Sequence, residues 1–473
     1  MAGRISLMLS RTGGPPSHGS VGYVNDAVAP ILTRNGWDVS AFSQPTRGLG
    51  EEALLPFGHA SALVALEGAS IPDIALFDGA GTVACLPSRR TAHRNIVLYH
   101  GLAYGAGAWL ASPHVDLHGA NSPYLARVLR ALFAFPNWER RACLNPAAIG
   151  RVADLPLPVP CADHPDGAPG LAHGSDLSID VLRALDGPTV WGHALQPGKQ
   201  DWVATTAIMY WLDSMRTEGG APLRLFVSEF SLNEDTRRSI DALLEPVGRR
   251  CSDYFVRLPH LNQSALFKLM RRCRFGLAYN RLPESFGFYV LESIHCGTPV
   301  YTNGVGNNRF LLPPEHGVHV FETPDMVEDA DGQRDVAAYR AVAERIVSGL
   351  SRPQEVDGQC ARGRALIRRQ WSMQRFEAGL LHALQPPAQA ETIPRFESLS
   401  VGLSPLVRSL DWDTGRMHND YASRTLSPEE LACASAVVGS TCADLASADM
   451  IDQERRFALF ARGVLALEPA VPG

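Results

Sequence analysis

Apolar residues in the first 160 positions gather into short blocks separated by longer polar-apolar mixtures. RISLML (4–9), VSAF (39–42), ALVAL (62–66), IALFD (74–78), NIVLYH (95–100) and VDLHGANS (115–122) form one series. Each block has the length of a buried strand, and the segments near 22–35 and from Pro123 to Phe133 carry helical spacing. Short apolar runs alternating with helical patterns predict an α/β fold built on a parallel, doubly wound sheet.

Between about 153 and 175 the pattern breaks into LPLPVPCADHPDGAPGLAHGS. Proline and glycine at this density sustain neither period, so an interdomain linker is expected, with bounds at 161–178. A second α/β series follows. Its strands are PTVWG (188–192), LRLFVSE (223–229), DYFVRLP (253–259), FGLAYN (275–280) and PVYTN (299–303). Helices are expected at 201–216, 234–246, 263–273 and 287–296, then near 335–350 and 360–384. The expected domains are thus 1–160 and 179–370, with a crossover helix at 371–384 that returns to the first. After QPPAQAET (385–392) comes a mainly helical extension, 385–473. Its clearest feature is Ser427-Pro-Glu-Glu430, a serine cap, a proline at the first helical position and a glutamate three residues after the cap.

Composition narrows the function. The chain has 473 residues, 45% hydrophobic and 19% charged, with a net charge of -6. Mean hydropathy is -0.05 and the pI is near 6.2. A packed globular protein is expected, with no electrostatic reason for nucleic acid as a partner. No run has the roughly 18 apolar residues of a membrane span. The start, MAGRISLML, reads as a first strand rather than a signal peptide, so a cytoplasmic location is expected. The nine cysteines include no Cys-x-x-Cys pair, which argues against a disulfide scaffold and a structural zinc site. Only Lys199 and Lys268 are lysines among 43 basic residues.

The chemistry concentrates in ESFGFYVLESIHCGTPVYTNGVGNN, residues 284–308. Glu284 and Glu292 stand either side of a Ser285-Phe286-Gly287 turn that opens a short helix, and Gly297 suits its left-handed terminator. Free N–H groups at a helix start attract phosphate, and a carboxylate further along the helix can reach ribose hydroxyls. This is what a nucleoside diphosphate needs.

The segment resembles the donor-sugar motif of family 4 of the retaining GT-B glycosyltransferases: a Glu, seven residues, a second Glu, then CGTPV and a Gly-Asn-rich turn. The resemblance covers roughly residues 1–384 and implies two Rossmann-like domains facing a cleft. It implies that Glu292 binds the ribose, that Glu284 faces the sugar ring, and that Ser285, Phe286 and Gly287 hold the diphosphate. Lys199 matches the family lysine that neutralises this diphosphate, whereas His193 stands where the family has arginine. His100, at the end of an apolar strand, matches a histidine that contacts the transferred sugar. Catalytic roles are accordingly implied for His100, Glu284 and Lys199. Gly13 and Gly14 look like the family's phosphate- and acceptor-side loop, with His18 a candidate acceptor contact. The Gly304–Asn308 turn is expected beside the donor, and Arg309 is given no role.

No cofactor or metal is expected to be required, the nucleotide diphosphate sugar itself being the donor substrate. His114 and His118 have helical ligand spacing, but Val115 to Asn121 reads as a strand, and no Gly-x-Ser-x-Gly elbow or Gly-x-Gly-x-x-Gly fingerprint occurs. The expected activity is hexosyl transfer to an acceptor hydroxyl or amine, the acceptor being a small metabolite or a glycan. Two readings stay beside it: a fold that binds donor without turnover, motivated by His193, and a GT-B enzyme forming a C–N bond. The extension is a candidate homodimer contact.

Overall fold

A computed structural model describes residues 3–9, 19–43, 71–78, 92–101, 114–139, 151–164, 176–184, 188–192, 199–216, 223–228, 232–259, 261–321, 336–385, 399–421, 423–445 and 450–469. The chain divides into two compact units, one of Met1–Leu157 with Gln374–Gly473, the other of Pro158–Met373.

The first unit is built on a sheet of β1 (Gly3–Leu9), β2 (Trp37–Ser43), β3 (Ile74–Asp78), β4 (Arg94–Tyr99), β5 (Leu117–Ala120) and β6 (Val152–Asp154). Their order is β2-β1-β3-β4-β5-β6, and every pairing is parallel. Helix α1 (Gly19–Arg34) follows β1 and α2 (Pro123–Glu139) follows β5. The ALVAL run lies outside the described residues.

In the second unit come α3 (Pro160–Asp163), α4 (Ile179–Ala184), β7 (Thr189–Gly192), α5 (Trp202–Ser214), β8 (Arg224–Ser228), α6 (Glu234–Leu244), α7 (Cys251–Tyr254), β9 (Phe255–Leu258), α8 (Gln263–Arg272), β10 (Phe275–Ala278), α9 (Phe288–His295), β11 (Val300–Thr302), β12 (Val318–Val320), α10 (Arg340–Leu350) and α11 (Pro353–Gln370). The sheet order is β12-β11-β10-β7-β8-β9, again all parallel. The chain moves outward from β7 to β9, returns beside β7 as β10, and continues outward on the other side. The carboxyl ends of β7 and β10 therefore flank the topological switch point, where open α/β sheets bind ligands. The segment read as linker holds α3, whose Cys161 is buried, while residues 165–175 lie outside the description.

Three helices of this unit start on side-chain caps. Asp201 accepts from the Ala204 N–H, Asn233 from Thr236 and Asn262 from Ala265. Each cap satisfies a donor that the helix cannot serve itself.

Helix α12 (Met373–Leu384) returns the chain to the first unit, where Glu377 pairs with Arg34 and accepts from Asn35 Nδ2 at 2.7 Å. The extension, expected to be mainly helical, holds α13 (Pro428–Val437), α14 (Cys442–Leu445) and α15 (Met450–Ala461). Ser427 forms the full reciprocal cap with Glu430. The extension also carries strands. β13 (Leu399–Leu403) pairs antiparallel with β17 (Leu465–Pro469), and β14 (Val407–Leu410), β15 (Arg416–Asn419) and β16 (Ser423–Thr425) form an antiparallel sheet. It does not fold apart from the first unit. Leu399, Val401, Leu459, Leu465 and Leu467 share one core with Phe77, Tyr99, Leu125 and Leu129. Each such side chain contributes about 1.5–3 kcal/mol by leaving water.

Candidate functional site

At the switch point the chain beyond β7 comes back past the end of β10. Gln200 and Asn280 form an antiparallel bridge. Arg281 N–H donates to the Lys199 carbonyl at 2.8 Å, and Asp201 N–H to that of Tyr279 at 2.7 Å. With Asp201 also capping α5, Lys199 is fixed from both sides. Its Nζ lies 2.7 Å from Glu284 Oε2, with the two side chains 20% and 11% exposed. At that degree of burial an ion pair is screened far less than on the surface.

Glu284 is set by the Gly-Asn turn rather than by its own helix. Asn307 N–H donates to the Glu284 carbonyl at 2.6 Å, and Asn307 Nδ2 donates to that of Phe286 at 2.6 Å. Gly306 (φ +70) makes this approach possible, since a Cβ there would sit 2.3 Å from the Glu284 nitrogen and 2.4 Å from its oxygen. Both the positive-φ backbone, which at ψ −141 lies outside the left-handed helical region, and the missing side chain are needed. Arg309, given no role from sequence, donates through Nη1 to the carbonyls of Gly304 and Gly306 and braces the same turn.

Helix α9 begins after its cap residue Gly287. It ends in a Schellman motif, Gly297 N–H bonding Ile294 and Thr298 N–H bonding Ser293, with Gly297 at φ +92. Glu292 projects from its middle, 9% exposed, and accepts from Gln263 Nε2 at 3.0 Å. Burial raises its carboxyl to about 7, and the Gln263 bond opposes that rise. The Asn262 cap holds Gln263 at the first position of α8.

His100 belongs to the first unit, directly beyond β4. It is 9% exposed, its Nε2 lies 3.2 Å from Asn25 Oδ1, and its carbonyl accepts from Asn121 Nδ2. His193, Gly13, Gly14 and His18 lie outside the described residues. His118 is buried on β5 with Nδ1 2.9 Å from Tyr99 Oη, and burial lowers its imidazole to about 3. Among the described residues no three His, Cys, Asp or Glu groups converge as metal ligands.

Four further residues shape the site without a motif that marks them, Gln200, Gln263, Asn280 and Asn303, whereas Asn307 belongs to the Gly304–Asn308 turn expected beside the donor. Amides carry no motif of their own, and only the second carboxylate of the motif hints that a neighbour must bond it. Asn303 holds the Asn280 backbone at both ends, accepting from its N–H at 3.1 Å and donating to its carbonyl at 2.8 Å.

No family model matches the chain, and no curated protein matches its sequence. Solved structures do match. Sucrose-phosphate synthase from Thermosynechococcus elongatus aligns with a TM-score of 0.52 at 15% identity, over 80% of this chain and 97% of that one. A glycosyltransferase from Rickettsia africae gives 0.55 at 11%, over 80% and 98%. Anabaena HepE, solved in complex with UDP and glucose, gives 0.51 at 14%, over 80% and 98%. The fold is GT-B. In this chain the GT-B frame places the Lys199–Glu284 pair at the switch point of its second sheet, and it carries the extension within the first unit.

Proposed function

We propose that the protein is a retaining, nucleotide-sugar-dependent glycosyltransferase whose donor binds at the Lys199, Glu284 and Glu292 site. The observation that carries this reading is the 2.7 Å pairing of Lys199 with Glu284 beyond the carboxyl ends of the paired strands β7 and β10. An ammonium there can move to the donor diphosphate and leave the carboxylate free for the sugar. Glu292 accepts from the ribose hydroxyls. The N–H groups of Phe286 and Gly287 face the phosphates.

Cleavage of the donor bond places negative charge on the departing diphosphate. Once Lys199 and the helix-start N–H groups have turned from Glu284 to the bound diphosphate, they stabilise that charge as it develops. His193 assists as a second cation when protonated. His100 hydrogen-bonds the transferred sugar, and the diphosphate takes the acceptor's proton. A small hydroxyl- or amine-bearing acceptor is our reading, with Gly13 and Gly14 on its side.

A thermal-shift panel of UDP, GDP, dTDP and their sugars tests this, since a ligand that prefers the native state raises the midpoint. At least one nucleotide sugar should stabilise the chain and be turned over. Stabilisation without product would point instead to a binding protein that has lost turnover.

A further inference from the structure

Around the Lys199–Glu284 pair lies a set of buried amides whose hydrogen-bonding capacity is unused. Asn280 is 2% exposed, and neither its Oδ1 nor its Nδ2 has a partner among the described residues. Gln200, its bridge partner, spends Nε2 on Thr205 Oγ1 and leaves Oε1 unpartnered. Asn307 spends Nδ2 on Phe286 and leaves Oδ1, and Asn308 Oδ1 is likewise unpartnered. A buried amide without a hydrogen bond has given up water and gained nothing in return. The Asn280 backbone is meanwhile clamped by Asn303, so its side chain has a fixed origin.

The polarity of the set identifies its partner. Gln200 Oε1, Asn280 Oδ1, Asn307 Oδ1 and Asn308 Oδ1 are acceptors, and Asn280 Nδ2 is the one donor among them. Acceptor oxygens repel phosphate and call for O–H groups. A hydroxyl satisfies both ends of the Asn280 amide, donating to Oδ1 and accepting from Nδ2. Paired across a bridge, Gln200 and Asn280 present their side chains to the same side of the ladder.

We propose that Asn280, with Gln200 beside it, is a specificity-determining residue that bonds hydroxyls of the transferred unit, selecting a hydroxylated sugar over a deoxygenated one. This rests on the donor-site reading above. A site built to bond a hydroxyl rejects the analogue lacking it, because its own polar groups are then left unpaired.

Asn280→Leu tests it in the full chain. Calorimetric titration would compare UDP with UDP-glucose, GDP with GDP-mannose and dTDP with dTDP-glucose. In the parent protein one sugar nucleotide should bind more tightly than its bare nucleotide. In Asn280→Leu that advantage should fall roughly 10-fold or more, the scale of an unmade buried hydrogen bond, while the bare nucleotide binds as before. The melting midpoint should hold or rise, since an apolar group of similar shape relieves the unpaired amide. An unchanged sugar advantage would overturn the assignment. So would loss of folding in both Asn280→Leu and the smaller Asn280→Ala, which would make the amide structural. If the parent protein bound no nucleotide of the panel, the donor-site reading would fail before any variant was compared, and this assignment with it.

Discussion

Lys199 and Glu284 neutralise each other across 2.7 Å, and each is mostly shielded from water. Removing one partner leaves the other as an uncompensated, poorly hydrated charge. Lys199→Met should destabilise the protein by about 1–3 kcal/mol, discounted from a fully buried pair for the remaining exposure. Adding Glu284→Gln should recover most of that loss, because the stranded carboxylate is gone. Urea denaturation of the two single variants and the double gives the coupling directly. Lys199→Arg should not restore donor binding, since a planar fork does not replace a compact ammonium.

Glu292 makes the pH dependence specific. Its carboxyl titrates at about 7 in the folded chain against the ordinary 4.5. The folded state therefore holds this proton more tightly than the unfolded state. The associated stability is fully present below pH 4.5 and is lost as pH rises through about 7. Glu292→Gln should flatten that part of the stability curve, measured as the denaturation midpoint between pH 5 and pH 8. Donor affinity should run the opposite way, rising with pH in the parent protein as the carboxylate forms to accept ribose hydroxyls. Glu292→Ala should weaken donor binding at every pH.

Legibility along the chain followed the physics of each element. Strands buried on both faces, such as IALFD and FGLAYN, announce themselves as unbroken apolar runs, and the structure has them at Ile74–Asp78 and Phe275–Ala278. β12 is three residues, VHV, and its place in the sheet comes from pairing with β11. β14 and β15, VRSL and RMHN, are partly polar and only partly buried, so neither period survives. In the site, carboxylates and glycines carried a spacing that could be read. The Gln263 bond to Glu292 and the Asn303 clamp on Asn280 join residues 29 and 23 positions apart, and no local pattern encodes them.

The extension's tie to the first unit is equally non-local. Tyr124 Oη donates to Asp420 Oδ2 at 2.7 Å, both residues being 2% exposed. Asp420 N–H in turn bonds the Leu406 carbonyl. Tyr124→Phe removes the hydroxyl and leaves a buried carboxylate short of one donor, with Arg408 Nε 4.0 Å away. A loss of about 1.5–3 kcal/mol is expected. Hydrogen exchange should quicken at Asp420 and along 407–419 if the bond anchors this sheet. Unaltered exchange there would show that the shared apolar core alone holds the extension.

Gly306 gives the sharpest test of how the first glutamate is placed. Its backbone sits at φ +70, and any Cβ would fall within 2.4 Å of the Glu284 nitrogen and oxygen. Neither contact can be relieved by rotating a side chain, because both atoms are backbone. Gly306→Ala must therefore push the 304–308 turn away from Glu284, break the 2.6 Å bond from Asn307 N–H, and place a side chain on a backbone (φ +70, ψ −141) that suits only glycine. The strain alone costs on the order of 1–3 kcal/mol. Donor affinity should fall with it, since the Glu284 carboxylate moves with its backbone. Gly439→Ala is the control. It also has positive φ (+89), but nothing lies within 4 Å of its Cβ position. It should lose only the strain increment in thermal melts, less than Gly306→Ala loses, and keep its donor affinity. If both variants bound nucleotide sugar as the parent does, Glu284 would be indifferent to this turn and the brace would have no functional role.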